Sequence, residues 1–255
     1  MALPAHNAHE RTPPPTGRVL VGELMDAPDV DPAQLARALA YIRSVNRWLG
    51  GTRGLIAHLA RWTRNWNRAA PIRLLDVATG SADIPVAAVH WARARGLRLE
   101  VTAIDNHDST LAQARAYVEE KLGEGAGSIS LSKLDAREML GQFGPGAFDF
   151  VHAGLFLHHL SDADALGTLM AMNALASRGV VWNDLVRSAW APLALEAILI
   201  GQPHIVRHDA HASVKAGFTR REALAFAEAA GLKNVRYSTI ILHRFTLTAE
   251  KGGGA

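Results

Sequence analysis

The chain has 255 residues, of which 49% are apolar and 20% charged, enough for a sizeable core and about the length of one elaborated domain. It has no cysteine, which excludes disulfides, thiolate metal sites and a cysteine nucleophile. A net charge of +3 is too small to imply a polyanionic partner by itself.

Residues 1–16 contain Pro13-Pro14-Pro15 and no apolar run, so they read as a flexible arm rather than a secretory signal. Residues 17–71 read as a helical cap. Asp31-Pro32 opens a helix with Leu35, Leu39, Ile42, Val45 and Leu49 on one face, and Gly50-Gly51 closes it. A second helix carries Leu55, Leu59, Trp62 and Trp66. Eight arginines and no acid lie between Arg37 and Arg73, a pattern expected of solvated faces on capping helices.

From Ile72 to residue 250, strands and helices alternate. Strands are expected at Ile72–Val77, Leu99–Asp105, Ser128–Lys133, Phe148–Ala153 and Gly179–Asn183. Helices are expected at Ile84–Arg95, Thr110–Lys121, near Glu138, and at Asp162–Ala176. Such alternation gives right-handed crossovers and a mostly parallel sheet. Residues 185–218 form an insertion read as a helical lid, and Thr219 with Glu222 has capping-box spacing for a further helix. Val235–Ser238 and Ile240–Thr248 are β-rich and nearly contiguous, which forces an antiparallel end to the sheet. Residues 251–255 are a glycine-rich tail. The α/β fold expected is a Rossmann-like, seven-stranded sheet.

The most informative stretch is Leu74-Leu75-Asp76-Val77-Ala78-Thr79-Gly80-Ser81-Ala82-Asp83-Ile84-Pro85. A buried strand runs into a small-residue turn, and Asp83 with Pro85 is placed to start a helix. Such turns bind ligands at the carboxyl ends of strands. The dinucleotide glycine pattern is absent, and a pyrophosphate would meet Asp76 and Asp83 where it needs N–H groups. Two carboxylates suit a ligand with a cationic amino group. No Gly-Lys-Ser/Thr follows, which excludes a P-loop. Val101-Thr102-Ala103-Ile104-Asp105 ends the second strand on an acid able to accept from ribose hydroxyls, and Lys133-Leu134-Asp135-Ala136 follows the third.

With three acids at three successive strand ends, the chain resembles the class I methyltransferases that use S-adenosylmethionine (SAM), and among them bacterial small-molecule enzymes of quinone and secondary metabolism. The resemblance covers Ile72 to Glu250. It implies that Asp76, Ala78 and Gly80 line the methionine end of SAM. Asp105 would take the ribose, Asn106 would flank the adenine, and Asp135 with Ala136 would meet the adenine amino group. Ala153 ends the fourth strand near the transferring methyl.

The loop after that strand, Ala153-Gly154-Leu155-Phe156-Leu157-His158-His159-Leu160, lacks the motifs of nucleic-acid amino-methyltransferases and of protein-arginine enzymes. A small-molecule acceptor is therefore expected, with neither nucleic acid nor membrane as partner, in the cytoplasm; a homodimer is compatible with the sequence. An imidazole suits removal of a phenolic proton near neutrality. His158 and His159 on the sheet side, or His208 in the insertion, are the candidates. Trp48, Phe156, Trp190 and Arg207 are expected to contact the acceptor. His204, His208 and His211 are read as lying in a loop rather than as ligands, and Asn183-Asp184 is too thin a set for magnesium, so no metal is expected. O-methylation of an aromatic or polyketide-like acceptor is favoured. C-methylation, SAM binding without turnover, and RNA modification through the arginines remain as rivals.

Overall fold

The computed structural model describes residues 11–27, 29–188, 195–196, 198–240 and 244–252. Seven strands form one sheet in the order β3-β2-β1-β4-β5-β7-β6. They are β1 (Ile72–Val77), β2 (Leu99–Asp105), β3 (Ile129–Lys133), β4 (Phe148–Gly154), β5 (Ala176–Leu185), β6 (Arg236–Ile240) and β7 (Arg244–Glu250). The first five are parallel, and β7 is antiparallel to both β5 and β6. The order reverses between β1 and β4, where such sheets place ligands. The expected architecture holds, and β5 is longer at both ends than its apolar run implied.

Eight helices complete the fold among the described residues: α1 (Pro32–Trp48), α2 (Gly51–Trp62), α3 (Asp83–Arg93), α4 (Asp108–Leu122), α5 (Met139–Phe143), α6 (Asp162–Leu175), α7 (His204–Ala216) and α8 (Arg220–Ala229). One core, under α5, α6 and α8, is centred on Trp182, with Phe218 and Phe245 edge-on at 4.8 and 5.0 Å. The other lies under α2, α3 and α4. There Trp62 stacks on Phe150 at 5.1 Å, a fit that requires Gly179, because a Cβ at that position would approach the Trp62 ring to 2.9 Å. The capping box of α8 is present, from Thr219 and Glu222.

Several local expectations change. The segment His204–Ala216 is a helix, not a loop, because Pro203 stands at its N-cap rather than inside it. Asp83 is not a cap: Ala82, in the left-handed region, precedes α3 and makes no side-chain cap bond. Three arginines of the first helices are engaged locally. Arg43 lies over Tyr117, Arg47 over Trp48, and Arg61 pairs with Glu250. No helix among the described residues is long and apolar enough to cross a membrane.

The arm behaves differently from Arg11 onward, where it lies across the carboxyl end of the sheet as a strap. Arg18 is its main anchor. Its guanidinium donates to the carbonyls of His158, Leu160 and Ala216, pairs with Asp162 at 2.9 Å, and stacks on Phe218 at 4.0 Å. Further along, Asp209 of α7 accepts from the backbone N–H groups of Leu24 and Met25 at 2.7 and 3.1 Å, capping the 3-10 turn Leu24–Asp26 from outside. Arg18→Ala strands several buried carbonyls at once. It should cost about 2–4 kcal/mol of unfolding free energy in urea titrations, whereas Asp162→Asn, at a part-exposed partner, should cost below about 1 kcal/mol.

A cleft at the carboxyl ends of the strands

A cleft of about 350 Å³ opens at the switch point between β1 and β4, a size suited to small-molecule binding. Its floor comes from the β1–α3 turn. Ala78, Gly80 and Ala82 all take positive φ (53°, 55° and 56°), a conformation in which small residues bring the backbone to the surface of the turn. A Cβ at Gly80 would meet Leu39 of α1 at 4.0 Å, so the cap helix lies over the turn.

Asp105, at the end of β2, is held by the N–H groups of Gly80 (3.0 Å) and His107 (3.1 Å). Burial raises its pKa against the lowering effect of those two bonds. Asp76 is more occupied than the sequence implied. One oxygen accepts from the Thr79 hydroxyl at 2.6 Å and the other meets His152 Nδ1 at 2.5 Å. His152 is 1% exposed and lines the cleft, with Nε2 unpaired, so it rather than Asp76 offers a free polar atom there. Asp83 also lines the cleft, accepting from Asn46 at 3.0 Å and Ser81 at 3.1 Å, and burial raises its pKa.

At the other end of the cleft lie the histidines that follow β4. His158 is buried with Nδ1 2.6 Å from Asp184, whose other oxygen accepts from Trp182 Nε1 at 3.0 Å. Burial alone would lower the His158 pKa, but Asp184 and Glu23 together raise it to about 9. Asp184 is pulled below the usual carboxylate range by the same pair, despite its burial. These two carboxylates favour the protonated form of His158, whereas the sequence pointed to a neutral imidazole. His159 places Nδ1 3.2 Å from Asp26, while Glu23 Oε1 lies 3.7 Å from His158 Nε2 and 3.8 Å from His159 Nε2. Between these polar ends the cleft wall is apolar, with Leu39, Ile42 and Val45 of α1 facing Val206 of α7 and Phe156.

Ala78, Gly80, Asp105, Asn106, Asp76, His158, His159 and Phe156 all line the cleft as expected. The remaining expected residues are placed elsewhere. Asp135 is held beside β3 by Arg137 at 2.6 Å, and Ala136 and Ala153 are packed in the core under α5 and α6. Trp48 is 72% exposed at the end of α1 and turned away from the cleft. Arg207 pairs with Glu196 at 3.2 Å and His208 meets Asp209 at 3.0 Å; neither lines the cleft, because α7 directs Val206, Asp209, Ala210 and Ser213 inward instead. Trp190 lies outside the described residues. Glu23, Asp26, Asn46, His152 and Arg244 line the cleft without having been singled out. Of these only His152 carried a signal, standing two residues before Gly154 and hence on the same strand face.

Residues 74–179 match the family model described as a methyltransferase domain. No curated protein matches the chain in sequence. Among solved structures, the chain is similar to a SAM-dependent methyltransferase from Aquifex aeolicus, with 16% identity over 86% of this chain and 98% of that one (TM-score 0.60). It is similar to an O-methyltransferase family protein from Burkholderia thailandensis, with 15% identity over 91% and 67% of the two chains (TM-score 0.63). It also resembles a protein of Nostoc punctiforme PCC 73102 at 17% identity over 84% of this chain, spanning only 60% of that protein's length (TM-score 0.58). At these identities the structural likenesses establish the fold. Residues 74–179 are thus the part of the chain that is similar to a methyltransferase domain.

The lining would suit SAM: the exposed turn backbone, Asp105 and the unpaired His152 Nε2 offer partners for ribose hydroxyls and for a cationic amine. Asp105→Ala should weaken SAM binding by about 1.5–3 kcal/mol, the worth of a charge-assisted hydrogen bond, as measured by calorimetry. Unchanged affinity would remove Asp105 from the site.

Proposed function

We propose that this protein, built on the methyltransferase domain at residues 74–179, transfers the methyl group of SAM to a hydroxyl of a small aromatic or polyketide-like acceptor. The observation that carries this reading is the cleft itself: one continuous cavity runs from the Asp105 end, across an apolar wall, to a polar end made by His158, His159 and Glu23. An apolar wall suits a flat carbon skeleton, and a single polar end suits one hydroxyl.

SAM, when bound, supplies an electrophilic methyl carbon on a sulfonium. The residues of this chain do the rest. Asp105 and the β1–α3 turn hold the nucleoside, and His152 meets the amino-acid end. His158, fixed by Asp184, orients the acceptor's oxygen, and Glu23 accepts its proton. In the balanced transfer the oxygen lone pair forms the new O–CH3 bond, and the electrons of the methyl–sulfur bond return to sulfur, leaving a neutral thioether. The strap and α1 exclude water, which matters because in-line displacement depends chiefly on alignment.

C-methylation differs only in which acceptor atom faces the methyl, and product analysis separates the two. Modification of RNA is disfavoured by the arginines of α1 and α2, several of which stack on aromatic rings or pair with acids. Labelled methyl from SAM should appear in phenolic acceptors and not in tRNA; comparable incorporation into tRNA would overturn the reading. His158→Ala should lower kcat about 10²–10⁴-fold while SAM affinity changes little. Full turnover in that variant would take the acceptor away from this end of the cleft.

A further inference from the structure

We propose that Glu23, His158 and His159 form a binding site for one divalent first-row transition ion at the acceptor end of the cleft. This rests on the reading of that end as the acceptor side. The three side chains come from two distant stretches of chain; one ligand atom from each lies within 4.8 Å of the other two, and Glu23 Oε1 is 3.7 and 3.8 Å from the two Nε2 atoms. Ligand bonds of about 2.0–2.2 Å place neighbouring donor atoms roughly 3–3.6 Å apart, close to the 3.7 and 3.8 Å spacings here.

Two further observations favour an ion over a plain ion pair. An imidazolium N–H facing a carboxylate normally closes to about 2.7–2.9 Å. Here neither Nε2 does so, and His158 Nε2 is buried without a hydrogen-bond partner. Second, each histidine turns Nδ1 toward a carboxylate, Asp184 for His158 (2.6 Å) and Asp26 for His159 (3.2 Å). Metal-binding histidines are held in this way, with the outer carboxylate fixing the tautomer that frees Nε2 for the ion.

Two imidazoles and one carboxylate form a facial set that leaves positions open toward the cleft, and its nitrogen content selects zinc, iron(II), cobalt(II) or manganese(II) over magnesium. With the ion bound, His158 and Glu23 would act through it rather than on the acceptor directly: the acceptor's oxygen would enter an open position, and the ion would lower the hydroxyl's pKa so that its proton leaves to solvent and would stabilise the oxyanion that remains.

The test uses the full chain without an affinity tag, stripped with chelator and titrated with cobalt(II) and zinc. One equivalent of cobalt(II) should give visible ligand-field bands, and one equivalent of zinc should bleach them. Glu23→Gln and His159→Ala should each weaken binding at least ~30-fold, Asp26→Asn ~10–100-fold, and His211→Ala, on the outer face of α7, should leave it unchanged. All variants should retain their circular dichroism and their affinity for the demethylated cofactor. Absence of stoichiometric binding in a chain that folds and binds that cofactor would overturn the proposal, as would equal binding by Glu23→Gln. Stoichiometric ion binding without methyl transfer to phenols would instead contradict the proposed function and leave the ion site standing. Transfer at full rate in the stripped chain would confine the ion to a structural role.

Discussion

A carboxylate with no access to water must find a cation or be protonated, and Asp184 is such a carboxylate, 0% exposed at the end of β5. The sheet fixes its position, since Trp182 and Asp184 share one face of β5 and the indole N–H donates to the acid. His158 supplies the positive partner, and that bond sets the ring's orientation, sending Nε2 toward the cleft. Glu23 then faces Nε2, and the strap must lie where it does to bring it there. Arg18 anchors that strap by filling the carbonyls of the same loop that carries His158. The polar end of the cleft is thus the outcome of balancing one buried charge.

The opposite end follows a different logic. At the β1–α3 turn the constraint is steric: positive φ at Ala78, Gly80 and Ala82 exposes backbone that larger side chains would cover. Asp105 accepts from that backbone through the Gly80 N–H, so the second strand end is tied to the first before any ligand arrives. A turn held in this way is organised before any ligand binds, which lowers the cost of binding there.

The sheet was legible because its signals are local. Apolar runs of strand length, acids at their ends and a small-residue turn are read within a dozen residues, and they led to Asp76, Gly80 and Asp105. The acceptor end was only half legible. His158 and His159 stand out as a pair after β4, but their partners Glu23 and Asp26 lie in a segment without periodicity, far away in sequence. The insertion misled for a related reason. Its histidines are conspicuous in the chain, yet the helix that carries them turns Asp209 inward and His208 and Arg207 away from the cleft. Asp135 likewise has the expected place after β3, but Arg137, two residues on, holds it. What the sequence could not supply was which side chains face each other across the strap.

The central claim is that the strand-end turn and the strap enclose one ligand cavity. Hydrogen–deuterium exchange of the full chain, with and without the demethylated cofactor, tests it most directly. The account predicts slowed exchange in residues 78–83 and 105–107, and slowed exchange in the strap at 18–26 when a phenolic acceptor is added as well. Protection confined to other segments, or a strap indifferent to both ligands, would contradict it.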